Sequence, residues 1–202
     1  TVHYWTDADN GMWEEKLELH MSSVGACLAG LFEIKDFVTV PKHMIIGGQE
    51  SLNLLFPHES PTKTYDLAQL SLIYPYNLLS PQQSLTILEG VEQHLLRELG
   101  VIRYKSDSYY CSDKLDDRKK PDAYYVGKEA EWSMGLPWLS LCYLQVGGIE
   151  KAKYSLELTE CKMVDNYKLP ELYYANTTED KPNTPLGWSN ALYIIAVREY
   201  EL

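Results

Sequence analysis

Two stretches of this sequence put carboxylates where acid–base chemistry could use them. Trp13 is followed by the adjacent glutamates Glu14 and Glu15, and Glu171 follows Pro170 in a polar, tyrosine-rich run far down the chain. The first group reads in two ways. The carboxylates can favour the positive end of a following helix while Trp13 packs, or Glu14, crowded by an indole and a like charge, can hold its proton and act as a general acid. Taken alone, Glu171 is a loop carboxylate. Glycoside hydrolysis is a reaction that gives both a task, because one carboxyl protonates the leaving oxygen while another activates water.

A third charged and aromatic stretch, "RYKSDSYY" at 103–110, carries Arg103. Its permanent charge and five donors suit vicinal hydroxyls, and they suit a salt bridge to Asp107 equally well; the two roles can coexist. Tyrosines and tryptophans number 16 and 5 against 3 phenylalanines. Such rings combine an apolar face with a polar handle, which fits a wet cavity and also an ordinary surface. His20, His43, His58 and His94 show no ligand spacing and His3 lies at the start, so no metal site and no cofactor are expected.

The elements that must position these residues are helical. A serine start and spaced apolar residues (Val24, Cys27, Leu28, Leu31) predict a buried helix over 22–37, with Ser22 and Ser23 as caps. Further helices are predicted over 41–56, despite Gly47-Gly48, and over 64–74, closed by Pro75. The clearest is 80–100: Ser80 caps, Pro81 opens the first turn, Leu85, Leu88, Val91, Leu95 and Leu99 make a stripe, and Gly100 ends it. Residues 101–131 lose the helical period, and "SDKLDDRKKPD" reads as an exposed loop. Helices resume over 131–148 and 149–163, and after a loop at 164–185 a last one runs over 186–202. About seven helices and no strands make the chain all-α. The motifs therefore sit at helix ends, in loops that a rigid scaffold can hold.

Bulk properties exclude several partners. The chain has 202 residues, 45% of them hydrophobic, which is ample for a core. It carries 18 basic and 29 acidic side chains, a net charge of −11, and no basic stripe, so neither nucleic acid nor an anionic membrane is an expected partner. No apolar run is long enough to span a bilayer, and the first residues are not a signal peptide. The chain starts with Thr1, which suggests that the natural N-terminus is missing. Four scattered cysteines (Cys27, Cys111, Cys142, Cys161) fit free core thiols in a reducing, cytoplasmic setting.

The blocks "WEE", "RYKSDSYY" leading to "PWLSLCYL", and "PEL" leading to "PLGWSNAL" occur in an order that resembles the family-15 glycoside hydrolases. That is the glucoamylase and glucodextranase family, with a more distant relative in the phosphorylase kinase alpha subunit. The resemblance implies a general acid at Glu14 and a general base at Glu171. It implies a sugar-binding Arg103, with Tyr110 and Trp138 lining the pocket and Trp13 and Glu15 beside the substrate. It also implies a single domain, residues 1–202, forming the C-terminal half of an (α/α)6 toroid of twelve helices, about seven of them present. The chain departs from the family in following the glutamate with Leu172 and in the insertion at 111–131.

On that resemblance the chain is an inverting enzyme releasing glucose from non-reducing ends of α-glucans or α-glucosides, with carboxyls roughly 6.5–9.5 Å apart to hold a water. A half toroid leaves helix faces for the missing half or for self-association. Two rivals stay open. One is a non-catalytic carbohydrate-sensing domain, in which the carboxylates only bind. The other is a phosphate-dependent disaccharide phosphorylase, in which Glu171 would be idle.

Overall fold

A computed structural model of the chain describes residues 5–111 and 120–201. The described residues form six α-helices, two short 3-10 helices and one pair of two-residue strands, so the all-α class is what the chain adopts. Its contacts cluster into two compact units, Thr1–Ile87 and Leu88–Leu202.

In the first unit, α1 (Met21–Ile34) packs on α2 (Lys42–Leu55) and on a 3-10 helix, Leu67–Leu72. Met21, Val24, Leu28, Leu52, Leu55 and Leu72 are its core, with Trp5, Phe32 and Phe56 against them. The buried face of α1 is therefore Met21, Val24, Gly25 and Leu28; Cys27 is exposed and Leu31 half-buried, a rotation away from the predicted stripe. The far end of the predicted helix is exposed as well: Ile34 lies at the surface, and Phe37, beyond the end of α1, is 88% exposed. The Gly47-Gly48 pair in α2 makes room for an indole, since a Cβ on either would come within 2.9 or 3.1 Å of the Trp5 ring. The predicted helix at 64–74 is the short 3-10 turn instead, fixed by a capping box. Asp66 accepts from the Ala68 amide at 2.8 Å, and Gln69 accepts from the Asp66 amide at 3.1 Å.

Helix α3 (Pro81–His94) starts as predicted, with Ser80 and Gln83 exchanging side-chain to backbone hydrogen bonds. It ends six residues early. Its buried positions are Ser84, Ile87, Leu88, Gly90 and Val91, followed by Leu95; Leu85 is exposed and Leu99 lies beyond the helix. The chain turns back because Val101 exchanges backbone hydrogen bonds with Trp132 at 3.0 and 2.9 Å. Gly100 is required there, since a Cβ would stand 2.7 Å from the Trp132 carbonyl oxygen.

In the second unit, α4 (Gly135–Gln145) is the central helix, buried through Tyr143, and it packs on both α5 (Ile149–Cys161) and α6 (Gly187–Glu201). The short connection makes α4 and α5 a helical hairpin. Contrary to the expectation of no strands, β1 (Glu131–Trp132) pairs antiparallel with β2 (Leu172–Tyr173), Trp132 opposite Leu172. No free-standing strand signal exists in so short a pair; neighbouring backbone supplies it. None of the four cysteines is in a disulfide; Cys111 and Cys142 are buried, but Cys27 and Cys161 are exposed rather than core. The exposed loop predicted at 112–122 lies, for 112–119, outside the described residues, as does His3. No described helix is long and apolar enough to cross a membrane.

Candidate active site

The first candidate segment is a loop closed at its base. Asp9 and Glu18 exchange backbone hydrogen bonds at 2.8 and 3.0 Å, and inside them the Glu14 and Glu15 amides donate to Gly11 and Asn10 carbonyls. Glu14 sits at the apex with φ 55 and an exposed side chain. Its neighbours are tied down by the segment 59–66. The Trp13 indole N–H donates to Asp66 Oδ1 at 2.7 Å, and Lys63 Nζ lies 3.4 Å from both Glu15 Oε2 and Asp66 Oδ2. Glu15, expected to crowd Glu14, is thus paired with a cation of its own. Glu18 accepts from Ser60 and Thr62 hydroxyls at 2.6 and 2.8 Å; burial works against its charge, but these donors prevail and hold its pKa below the ordinary value.

Ser22 and Ser23 do not cap α1, whose N-cap is His20 without a side-chain capping bond. The role passes to Glu59, which is 1% exposed. Its carboxylate accepts from the Ser22 amide at 3.2 Å and the Ser22 hydroxyl at 2.6 Å, and its carbonyl accepts from the Met21 amide at 2.7 Å. Ser23 instead donates to Asp9 at 2.9 Å. An acid reached from another segment can satisfy orphan helix amides as well as a local cap does. His20 Nδ1 stands 3.6 Å from Glu59.

The second unit holds Glu171 in a clamp. Upstream, the Asn190 amide bonds both the N–H and the C=O of Leu169 (3.3 and 3.2 Å), while the Ser133 hydroxyl donates to the Pro170 carbonyl and lies 2.9 Å from Ser189 Oγ. Downstream, Leu172 pairs with Trp132 and its carbonyl accepts from the Lys181 amide at 3.0 Å. This return brings Lys181 onto the carboxylate: Lys181 Nζ is 2.8 Å from Glu171 Oε2, and Asn183 Nδ2 donates to the same oxygen at 3.2 Å. Lys181 is also 3.4 Å from the Tyr109 hydroxyl and 3.6 Å above the Tyr110 ring. Burial works against the lysine's charge, yet Glu171 and the Tyr109 hydroxyl outweigh it and raise its pKa.

Arg103 is buried and doubly paired: Nε and Nη2 donate to Asp107 at 2.6 and 2.7 Å. Its guanidinium lies over Tyr109 (4.8 Å) and Trp132 (5.2 Å), whose rings stack at 5.7 Å. Tyr110 stands edge-on to Tyr109 at 4.7 Å, with φ 45. The second unit thus brings Glu171, Arg103 and Tyr110 into one cluster through Tyr109. Trp138 is 3% exposed inside α4, against Trp188 at 5.6 Å; Trp188 is the more accessible indole.

Sequence reasoning missed Lys181, Asn183, Tyr109, Trp132 and the clamp residues Ser133, Ser189 and Asn190. The Ser-Asn of "GWSNAL" was in view as a motif, but not its physical task of gripping the backbone that carries Glu171. Among the described residues no three His, Cys, Asp or Glu side chains are grouped to hold a metal ion. A cavity of about 340 Å³ in the first unit, lined by Met21, Leu28, Leu52, Asn53 and Gln83, contains none of the candidate residues.

No protein-family model matches the chain. Among curated proteins it is similar to an uncharacterized glycosyl hydrolase of Methanocaldococcus jannaschii, 25% identical over 93% of this chain and 33% of that protein. Among solved structures it resembles a wild-type glycosidase (TM-score 0.74, 18% identity, covering 98% of this chain and 56% of the other). It also resembles a glutamate-to-alanine glycosidase variant in complex with glucose (TM-score 0.76, 17% identity, covering 99% and 57%). The shared feature is the fold. The chain spans about a third of the curated relative's length and somewhat over half of each structural neighbour's.

Proposed function

We propose that this chain belongs to an inverting glycoside hydrolase that releases glucose from the non-reducing ends of α-glucans or α-glucosides. The observation that carries the reading is Glu171. Its Oε2 is held by Lys181 and Asn183, and its setting is the polar and aromatic cluster of Tyr109, Tyr110 and Arg103. A base needs a fixed, ionised carboxylate, and faces of this kind suit a pyranose. The similarity to a glycosyl hydrolase over 93% of the chain, and to glycosidase folds, supports the reaction class.

In this reading Glu171 takes a proton from the attacking water, and Glu14 gives one to the glycosidic oxygen. Glu14 has the exposure a proton donor to substrate requires, on a loop whose flanks are pinned by Trp13 to Asp66 and Glu15 to Lys63. Trp13, Glu15 and Tyr110 serve the substrate, and Trp138 acts from behind Trp188, the more accessible of the two indoles. Arg103, its plane fixed by Asp107, addresses sugar hydroxyls. The remainder of an (α/α)6 domain, or a second copy, covers exposed apolar side chains such as Phe37, Leu54 and Ile194.

Anomer-resolved NMR of products from maltose, isomaltose and trehalose-type substrates tests this on the full-length protein. The β-anomer of glucose is expected first, and Glu171→Gln is expected to lower kcat by roughly 10²–10⁴-fold, the usual worth of a general base. No glucose release, or an unchanged rate in Glu171→Gln, overturns it. Saturable oligosaccharide binding without turnover would favour a sensing domain instead.

A further inference from the structure

We propose that Lys181 and Asn183 are positioning residues for Glu171: they fix its Oε2 and leave Oε1 as the oxygen that receives the proton. The inference rests on the reading of Glu171 as the base and adds to it which oxygen acts and what holds the other.

Geometry separates the two oxygens. Both donors, Lys181 Nζ at 2.8 Å and Asn183 Nδ2 at 3.2 Å, fall on Oε2. Among the described residues Oε1 has no hydrogen-bond partner, and the side chain keeps 12% of its surface exposed. An oxygen already accepting a charge-assisted hydrogen bond is the poorer proton acceptor, so the proton goes to its twin.

Lys181 cannot drift from this place. Its side chain is 7% exposed, its amide donates to Leu172, and its carbonyl accepts from the Thr184 hydroxyl at 2.9 Å. Among the described residues, the charged and titratable groups facing it are the Glu171 carboxylate, the Tyr109 hydroxyl and the Tyr110 ring, with the Arg103–Asp107 pair on the far side of Tyr109. That second ion pair is matched within itself, so among the described residues Lys181 is the cation that answers Glu171. In the reaction, water oxygen bonds to the anomeric carbon as the glycosidic bond breaks. One water proton passes to Oε1, and the leaving oxygen takes the proton of Glu14, so charge and atoms balance.

The test compares wild type, Lys181→Met and Lys181→Arg in the full-length protein by the pH dependence of kcat. Removing an opposite charge this close moves the acidic limb up by roughly one to three pH units. Lys181→Met should show that rise with KM changed less than kcat at neutral pH, and Lys181→Arg should restore the wild-type limb. A limb unmoved in Lys181→Met, in a protein that turns over, overturns the inference and leaves the hydrolase reading intact. If the wild type releases no sugar, the hydrolase reading fails, and the pairing is decided separately by NMR titration of the Lys181 ammonium. The Lys181 pKa should fall in Glu171→Gln; an unchanged titration overturns the inference. The same titration serves where Lys181→Met does not fold.

Discussion

Replacing Asp107 by Ala tests the interaction on which the second unit's aromatic cluster depends. The carboxylate is 0% exposed and accepts from Arg103 Nε at 2.6 Å, from Arg103 Nη2 at 2.7 Å, and from the Tyr109 amide at 3.0 Å. Truncation removes two charge-assisted bonds from a guanidinium that is itself 4% exposed, between Tyr109 and Trp132. Breaking a buried pair from one side costs about 3–5 kcal/mol, because the remaining charge loses the carboxylate paired with it. With a urea slope of about 2 kcal/mol per molar, the midpoint should fall by about 2 M. Equilibrium urea unfolding followed by tryptophan fluorescence reads this directly, since the Trp132 ring faces the Arg103 guanidinium. Replacing both partners by apolar residues, Arg103→Met with Asp107→Leu, should recover more than half the loss, as no buried charge then remains. A shift below about 0.5 M in Asp107→Ala, or a double variant as unstable as the sum of the singles, would refute the reasoning.

Two further outcomes follow from the first unit. Gly25→Ala would place a Cβ 2.2 Å from Leu72 Cδ2, a residue with no exposure, so overpacking of about 1–3 kcal/mol should outweigh the helix-propensity gain and lower the Tm. A Tm equal to or above wild type would contradict that packing. The His20–Glu59 pair should make stability fall as pH rises. The Glu59 carboxylate, 3.6 Å away, raises the His20 pKa against the opposing effect of burial, and burial raises that of Glu59. Both groups bind protons more tightly folded than unfolded. Their contribution is complete below the unfolded values of about 4.3 for Glu and 6.5 for His, and is lost as pH climbs through the higher folded ones. Chemical denaturation from pH 4 to 9 should show this decline, flattened in Glu59→Gln; a slope identical in the two proteins would exclude the pair as its source.

Much of the helical layout was legible because apolar spacing, Ser80 with Gln83, and Pro81 are local signals. Errors cluster where distant chain decides. The 80–100 pattern continues past His94, but the Val101–Trp132 pairing ends the helix. Residues 64–74 have helical spacing, yet a capping box and full burial hold a 3-10 turn. Ser22 and Ser23 look like caps, while the acid that reaches the helix amides is Glu59, 37 residues away. The candidate site divides in the same manner. Glu14, Glu171 and Arg103 are conspicuous by type and motif, and the Arg103–Asp107 pair has ordinary i, i+4 spacing.

Lys181 has no such mark. It is one lysine in a polar loop, and it meets Glu171 only because the chain folds back from Leu172 to hydrogen-bond its own backbone. The sequence by itself determined an all-α chain and the residue types able to do acid–base chemistry, since periodicity and side-chain identity are written residue by residue. Only the tertiary structure decided which carboxylate is exposed, which is paired, and with what. Charge pairing and burial depend on contacts between segments that the linear order keeps apart.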